Sequence, residues 1–424
     1  MKRFLISIIV FVTLLPAMAQ EEKKVSVNIY GFVRNDFYYD SRRSLASAAG
    51  LFYLIPLDRN LNELGEDLNA IPSSRMLSAA SRFGLNVKGP DVWGATTSAK
   101  IEGDFDGFSS NHTSNTMFRI RQAWTKLSWE KVDLLAGHTW HPMFGEVIPT
   151  VMSLATGSPF QPFNRSPQVR VDYKMNAFKT YLSAIYQSQY LSPGPLGSSP
   201  EYLKDGILPE LYLGFDYSKN GWIAGVGANF MHLRPRTIGL KEAEINGEPK
   251  IINTKVSDNI SSLSFNAFLQ YTNDKFAIKA KSIYGQNMGH LLLFGGYGIS
   301  KINDNGSYEY TNLNNSTSWL NITYGTKYQA GLFLGYSKNL GSSKELVVNL
   351  DPNKPNIFTF GPSNLDQVYR ISPQVSYNVK HWSFGIEYEM TTVSYGTLDF
   401  KDGKVKDTHD VTNNRIVGVM TYFF

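Results

Sequence analysis

The chain has 424 residues, no cysteine and a formal charge of +5. The lack of cysteine excludes disulfides, metal–thiolate sites and cysteine nucleophiles, and a charge this small and dispersed gives no indication of a nucleic-acid partner. Aromatic residues make up 13% of the chain, although its mean hydropathy is only −0.23. This combination is typical of a membrane β-barrel, in which only every second residue of a strand faces lipid.

The N-terminus predicts export from the cytoplasm. Lys2 and Arg3 precede an apolar stretch, and Ala17-Met18-Ala19 is typical of a signal-peptide cleavage site. We therefore expect residues 1–19 to be a cleaved signal peptide, which leaves a mature charge of +3. No later window approaches the roughly 18 apolar residues of a transmembrane helix. No break in composition divides residues 20–424, so we expect them to form a single barrel domain.

Apolar and polar residues alternate from about residue 26 to the C-terminus. The alternation predicts an all-β fold, a transmembrane antiparallel β-barrel of about sixteen strands. Short turns alternate with long connections, as the periplasmic turns and extracellular loops of outer-membrane barrels do. The least regular part is 339–366, where residues 344–348 are predicted to supply a strand. The clearest outward faces are Leu211, Leu213 and Phe215; Leu263, Phe265 and Leu269; Tyr369, Ile371 and Val375; and Trp382, Phe384 and Ile386.

Aromatic pairs flank four of the short turns at one common spacing. Tyr and Trp are favoured at membrane interfaces, where one part of the ring meets lipid and its polar edge meets water. A single pair would fit ordinary packing across a hairpin, but four in register predict a membrane girdle. The pairs are Tyr173 and Phe178, Tyr217 and Trp222, Tyr271 and Phe276, and Tyr377 and Trp382.

The last predicted strand carries a further signal. Ile416, Met420 and Tyr422 share one face, and the sequence stops at Phe424. A terminal Phe after alternating apolar residues resembles the signal that the barrel-assembly machinery reads. We therefore expect that machinery to be a partner of the last strand.

Three short segments carry a family resemblance: residues 28–40 (NIYGFVRNDFYYD), 119–124 (RIRQAW) and 135–140 (LAGHTW). They resemble the corresponding parts of the DcaP-like group of trimeric, 16-stranded general porins of Gram-negative bacteria. The resemblance implies a homotrimer of water-filled barrels in the outer membrane. It also implies that the third long loop, predicted at 140–167, folds inward and constricts each channel.

The predicted lumen faces of the early strands carry arginines. Such a ladder would steer anions or carboxylates, because a guanidinium stays charged and matches a carboxylate in bidentate fashion. The alternative is a wall that is polar by default, with its bases neutralised by Asp36, Glu102, Asp104 and Asp172. The candidate pore-lining residues are Arg34, Arg82, Arg119, Arg121 and Arg170 on the wall, with His141 and Glu146 from the third loop.

The third loop contains five prolines, which restrict its backbone. This restriction favours an ordered segment bent into the barrel over a loop that lies outside the mouth. The loop has few charges, so a cation preference of the kind seen with acidic constriction loops is not expected.

Together these patterns predict an outer-membrane porin through which small hydrophilic solutes diffuse passively, with a preference for anions or carboxylates. The alternative is a barrel that acts as an adhesin or structural protein through its long loops. No nucleophile arrangement, phosphate loop or strong metal-ligand pattern in the sequence indicates an enzyme, a cofactor or a metal. The expected partners are outer-membrane lipid, lipopolysaccharide, small hydrophilic solutes, two further copies of the chain and the assembly machinery.

Overall fold

The computed structural model describes residues 25–47, 50–108, 116–348 and 355–424. The predicted signal peptide, residues 1–19, lies outside these described residues. Strands make up 67% of the structure and helices 2%. None of the described helices has the length and hydropathy needed to cross a bilayer.

Sixteen strands form one closed antiparallel barrel, which confirms the predicted fold class and strand number. All described strands except β2, β3, β4, β15 and β18 belong to these sixteen. In chain order the strands are β1 Ser26–Asp40, β2 Ser44–Ser47, β3 Phe52–Pro56, β4 Ser73–Leu77, β5 Arg82–Val92, β6 Ala95–Phe108, β7 Thr116–Ser128, β8 Val132–Trp140, β9 Arg165–Met175, β10 Phe178–Ile185, β11 Glu210–Lys219, β12 Trp222–Ile245, β13 Glu248–Thr272, β14 Phe276–Gln286, β15 Gly296–Ile302, β16 Tyr308–Gly325, β17 Tyr328–Ser342, β18 Ile357–Thr359, β19 Leu365–Val379, β20 Trp382–Leu398 and β21 Val405–Phe423. A short helix, α1 Glu201–Asp205, lies between β10 and β11.

The barrel closes where β21 pairs with β1. Phe32 to Asp40 are in register with Phe423 to Arg415 along this seam. On its other edge β1 pairs first with β5 and then with β4, which continues the line of β5 toward the long loops. Beyond the seam, Phe424 exchanges two backbone hydrogen bonds with Gly31. The C-terminal residue is therefore part of the closure.

The strand predicted at 344–348 does not form, and that prediction was wrong. β17 continues to Ser342 and pairs with β16 over this length. The barrel therefore needs no separate strand at 344–348. Leu346 instead packs as a buried residue, and Val347 donates one backbone hydrogen bond to Ile299 of β15.

Burial of alternate residues confirms the assigned faces of the strands. The outward residues Leu263 and Phe265 are each 48% exposed, whereas the inward residues Glu387 and Glu389 are almost fully buried. Similar apolar side chains cover the outer wall on every side. A surface of this kind is stable only against lipid or another apolar surface.

The aromatic residues at the short turns pack against one another between neighbouring hairpins. Each contact joins the opening aromatic of one barrel strand to the closing aromatic of the next, so each pair links two neighbouring hairpins. Ring centroids are 5.2 Å apart for Phe178 and Tyr217, 4.8 Å for Trp222 and Tyr271, 5.0 Å for Tyr328 and Tyr377, and 4.9 Å for Trp382 and Tyr422.

The lumen contains a hydrophobic core built by loops. The β2–β3 hairpin, the connection between β8 and β9 and the turn after β14 meet there, and inward side chains of β16 to β21 pack around them. Phe163 packs edge-on against Phe52 and against Trp140, each at 5.0 Å between centroids. The core members from the loops are Phe52, Leu54, Ile55, Phe144, Val147, Ala155, Phe160, Phe163, Leu292 and Phe294. The β2–β3 hairpin and the turn after β14 therefore reach inside the barrel together with the third loop.

Candidate functional site

The third loop, residues 141–164 between β8 and β9, is bonded to inward side chains from several parts of the barrel. Most of these side chains donate to backbone carbonyls, and three of the contacts come from β14 and β1 cations. The bonds are Arg34 Nη2 to Met152 O (2.6 Å), Lys279 Nζ to Ile148 O (3.0 Å), Lys281 Nζ to Phe144 O (2.6 Å), Gln374 Nε2 to Thr150 O (2.6 Å) and Arg370 Nη1 to Ser158 O (3.0 Å). Glu387 accepts the backbone N–H of Met152 at 2.6 Å.

Four of the predicted site residues, Arg34, Arg82, Arg119 and Arg121, lie around one cavity of about 110 Å³. We call these four residues the basic wall. They come from β1, β5 and β7, on which period-two alternation turns them inward. The opposite side of the cavity is formed by the third loop, with Val151, Ser153, Leu154 and Thr156, and by Phe52 and Phe163.

Each arginine of the basic wall contacts a carboxylate. The closest approaches are Arg34 to Asp36 (2.5 Å), Arg82 to Glu102 (3.7 Å), Arg119 to Asp104 (2.8 Å), and Arg121 to Asp104 (2.5 Å) and Glu102 (3.0 Å). The carboxylate side chains are at most 4% exposed, whereas those of Arg82 and Arg119 are 23% and 28% exposed. The cations therefore face the cavity, and the carboxylates lie behind them.

The basic wall keeps an excess of positive charge despite this pairing. Lys100 also approaches Glu102, at 3.5 Å. With Lys100 the group has five cations against three carboxylates, Asp36, Glu102 and Asp104, a net charge of +2. A field of this sign, enclosed by low-dielectric walls, attracts anions.

The other three predicted residues lie elsewhere. Arg170 pairs with Asp172 on its own strand at 2.7 Å and lies over the ring of Tyr181. Glu146 is more than half exposed and pairs with Lys179 at 2.7 Å. His141 is 1% exposed, so it does not reach the cavity.

His141 belongs to a buried cluster with Glu210 and His290. Both imidazole Nε2 atoms and the amide of Asn229 converge on Oε1 of Glu210, at 3.2, 2.8 and 2.7 Å. Two imidazoles and a carboxylate within 4.8 Å form a donor set that Zn²⁺ accepts. However, Nδ1 of His141 accepts the N–H of Met143, so the proton of the neutral ring is at Nε2 and that atom has no lone pair for a metal. The cluster fits an anchor of the third loop better than a metal centre.

Sequence reasoning missed two parts of this site. Lys279 and Lys281 alternate with Ile278 and Ala280 on β14, so strand parity alone would have turned them inward. The β2–β3 hairpin gave a weaker signal, an apolar run inside a long loop, and its four residues 52–55 are all buried. Such a run does not predict whether the loop enters the lumen, because the apolar residues of a surface loop can also pack against one another outside the barrel.

Comparison with known proteins supports the fold and not the sequence family. No family model matches the chain, and no curated protein does. Among solved structures, the outer membrane channel DcaP of Acinetobacter baumannii matches with a TM-score of 0.64 at 17% identity, covering 94% of this chain and 97% of that one. The chain has the porin fold. A trimer form of the outer membrane protein OmpT of Vibrio cholerae also matches, with a TM-score of 0.54 at 12% identity over 95% of this chain and all of the other.

The match to DcaP confirms the predicted resemblance to DcaP-like porins at the level of the fold. The match to DcaP covers nearly all of both chains. The strands that carry the basic wall therefore belong to a barrel of the same architecture as DcaP.

Proposed function

We propose that this chain is an outer-membrane porin through which small hydrophilic solutes diffuse passively, with a preference for anions and carboxylates. The observation that carries the proposal is the basic wall, whose guanidinium groups face the third loop across a narrow cavity inside a closed barrel. Guanidinium groups bind carboxylates by paired, charge-assisted hydrogen bonds. Passing anions would exchange between such groups.

The outer surface supports a location in the outer membrane. The apolar wall and the aromatic girdle at the short turns fit a bilayer with its interface at that end. Lipid and lipopolysaccharide would cover the wall, and residues 1–19 would direct export. The trimer form of a structural neighbour supports assembly as a homotrimer. The exposed, alternating apolar residues of β21 support its recognition by the assembly machinery.

The third loop is the proposed constriction. Its carbonyls accept bonds from Arg34 of β1 and from Lys279 of β14, which are separated by five barrel strands, so the loop crosses the lumen. Its side chains at the cavity are small or apolar and add no charge. The sign of the electrostatic potential at the constriction would therefore be set by the charged residues of the barrel wall.

Planar-bilayer recording of the purified full-length chain tests the proposal. We expect stepwise conductance, and under a KCl gradient a reversal potential on the anion side that weakens as salt rises, because salt screens the basic wall. Absence of conductance from protein shown to be folded by heat-modifiability would contradict the porin function. Conductance with a cation preference at low salt would contradict only the role of the basic wall.

A further inference from the structure

Three arginines among the described residues are at most 1% exposed: Arg165, Arg370 and Arg415. Arg370 pairs with Glu389 at 3.4 Å, and Arg415 pairs with Asp40 at 2.8 Å and with Glu389 at 3.4 Å. Arg165 differs from both, because no carboxylate oxygen lies within 4.0 Å of it in the part of the chain that the structure describes. A guanidinium stays charged in a protein, so Arg165 is a buried charge without an ionic partner there.

The contacts of Arg165 hold its side chain in place but do not neutralise its charge. Its Nε and its backbone N–H both donate to Oε1 of Gln189, at 2.9 and 3.1 Å. Its guanidinium lies over the rings of Trp140 and Phe163, at 4.8 and 5.8 Å, in cation–π contacts. An amide and two rings carry no net charge, so the full positive charge of Arg165 remains. Burying a charge without an ionic partner costs stability, which indicates that this charge serves something other than the fold.

Arg165 lies beside the constriction, separated from it by aromatic rings. It is the first residue of β9, and its backbone is in register with Trp140 at the end of β8, where the third loop begins and ends. The ring of Phe163, which Arg165 contacts, lines the cavity of the basic wall. The ring of Trp140 also lies 5.8 Å from the guanidinium of Arg121, a member of that wall. Aromatic rings are a low-dielectric medium, so the field of Arg165 is attenuated less on its way to the cavity than it would be in water.

We propose that Arg165 is a further selectivity-determining residue of the channel, which attracts anions to the constriction through its field and without contacting them. The carboxylate of Asp104 acts on Arg165 only from beyond ion-pair distance, and it already pairs with Arg119 and Arg121. Arg165 therefore raises the net charge around the constriction from +2 to +3. The proposal rests on the proposed porin function and deepens it, because it assigns part of the anion preference to a residue outside the basic wall.

The first test is the reversal potential of the Arg165→Met channel under a KCl gradient at low salt, recorded with the full-length protein in planar bilayers. Met has a similar volume, and Oε1 of Gln189 keeps the backbone N–H of residue 165, so this acceptor is not left unpaired. For an ion about 10 Å from the guanidinium in a water-like dielectric, loss of the charge lowers the anion-to-cation permeability ratio by about four-fold. Lys204→Met is the matched control, since it removes one charge from a side chain that is 70% exposed and does not line the cavity. Its ratio should equal that of the parent chain.

The second test is the temperature of the heat-modifiability transition, which separates a selectivity role from a structural one. Arg165→Met should leave this temperature unchanged or raise it, because a buried charge without an ionic partner is removed. Arg415→Met is the contrasting variant. Arg415 is buried to the same extent and also lies over two rings, those of Tyr38 and Tyr53, at 4.4 and 5.1 Å. Its loss takes the cation away from the buried carboxylate of Asp40, so the transition should occur at a lower temperature.

Arg165→Gln, a second neutral variant, should reproduce both results. If the parent chain conducts and both neutral variants keep its permeability ratio at low salt, the proposal is wrong while the porin function stands. An equal fall in Lys204→Met would trace the effect to overall charge and would also overturn the proposal. So would a transition lowered as far as in Arg415→Met, or failure of both neutral variants to fold, because the charge would then be part of the fold. A folded parent chain without conductance would contradict the porin function itself, and the proposal with it.

Discussion

Arg119→Gln should weaken the anion preference without disturbing the fold of the wall. Arg119 is the most exposed cation of the basic wall, and its partner Asp104 keeps a second guanidinium, that of Arg121, at 2.5 Å. The substitution therefore lowers the net charge of the group from +2 to +1 and leaves no buried carboxylate unpaired. Gln preserves most of the side-chain length.

The size of the effect follows from Coulomb's law. An ion that passes about 5 Å from Arg119 interacts with it by about 0.8 kcal/mol in a water-like dielectric, and more in a dry one. An anion loses this attraction and a cation loses the same repulsion, so the two changes together reach about 1.6 kcal/mol, which corresponds to a roughly ten-fold fall in the permeability ratio. At about 1 M salt the Debye length is about 3 Å, and the change should be about two-fold or less.

The assay is the reversal potential under a KCl gradient, measured at low and at high salt. Arg43→Gln is the control, because Arg43 is an exposed cation of the first long loop and does not line the cavity. An Arg119→Gln channel with the anion-to-cation ratio of the parent chain at low salt would refute the electrostatic reasoning. So would an equal change in Arg43→Gln, which would trace the selectivity to the net charge of the mouth.

Further changes test the assembly and the loops. Removal of Phe424 should lower the amount of folded barrel in the membrane fraction without altering the conductance of the channels that do insert, since its backbone bonds Gly31 at the closure. Gly31→Ala should have a similar effect, because its Cβ would lie 2.5 Å from a backbone carbonyl of β5, whereas at Gly418 the nearest atom is at 3.8 Å and the same substitution should be tolerated. Deletion of residues 145–158 should raise single-channel conductance, and unchanged conductance in a folded variant would exclude the third loop as the constriction. Glu210→Ala leaves three buried donors without their acceptor, a loss of about 3 kcal/mol or more, so the heat-modifiability transition should occur at a lower temperature. An unchanged transition would mean that the cluster does not anchor the loop.

The barrel could be predicted from the sequence because each strand carries its own signal. The alternation within Leu263 to Leu269, or within Trp382 to Ile386, depends only on residues close in sequence. The aromatic residues at the short turns independently indicate where the strands begin and end. The inward orientation of Arg34, Arg82 and Arg119 follows from the same parity. Local patterns of this kind can be recognised in the sequence without knowledge of the tertiary structure.

The contents of the lumen could not be predicted in this way. Whether the charge of Arg82 is neutralised depends on the distance between its guanidinium and the carboxylate of Glu102. His141 and His290 both contact Glu210 only because two long loops enter the barrel. Those contacts join residues 69 and 80 positions apart, and nothing local specifies them. For the same reason the strand expected at 344–348 was misjudged, since the true length of β17 is set by its pairing with β16.

The third loop is held by main-chain hydrogen bonds to the wall as well as by its hydrophobic core, and the main-chain bonds have a consequence for how such a channel can change. The carbonyls of Phe144, Ile148 and Met152 accept bonds from wall cations whatever side chains those residues carry. Replacement of a cavity-facing side chain outside the hydrophobic core, such as Ser153, therefore leaves these bonds intact while it alters the surface presented to solutes. At such cavity-facing positions mutations can accumulate, and new permeation properties can be selected or engineered, without rebuilding the barrel that supports the loop.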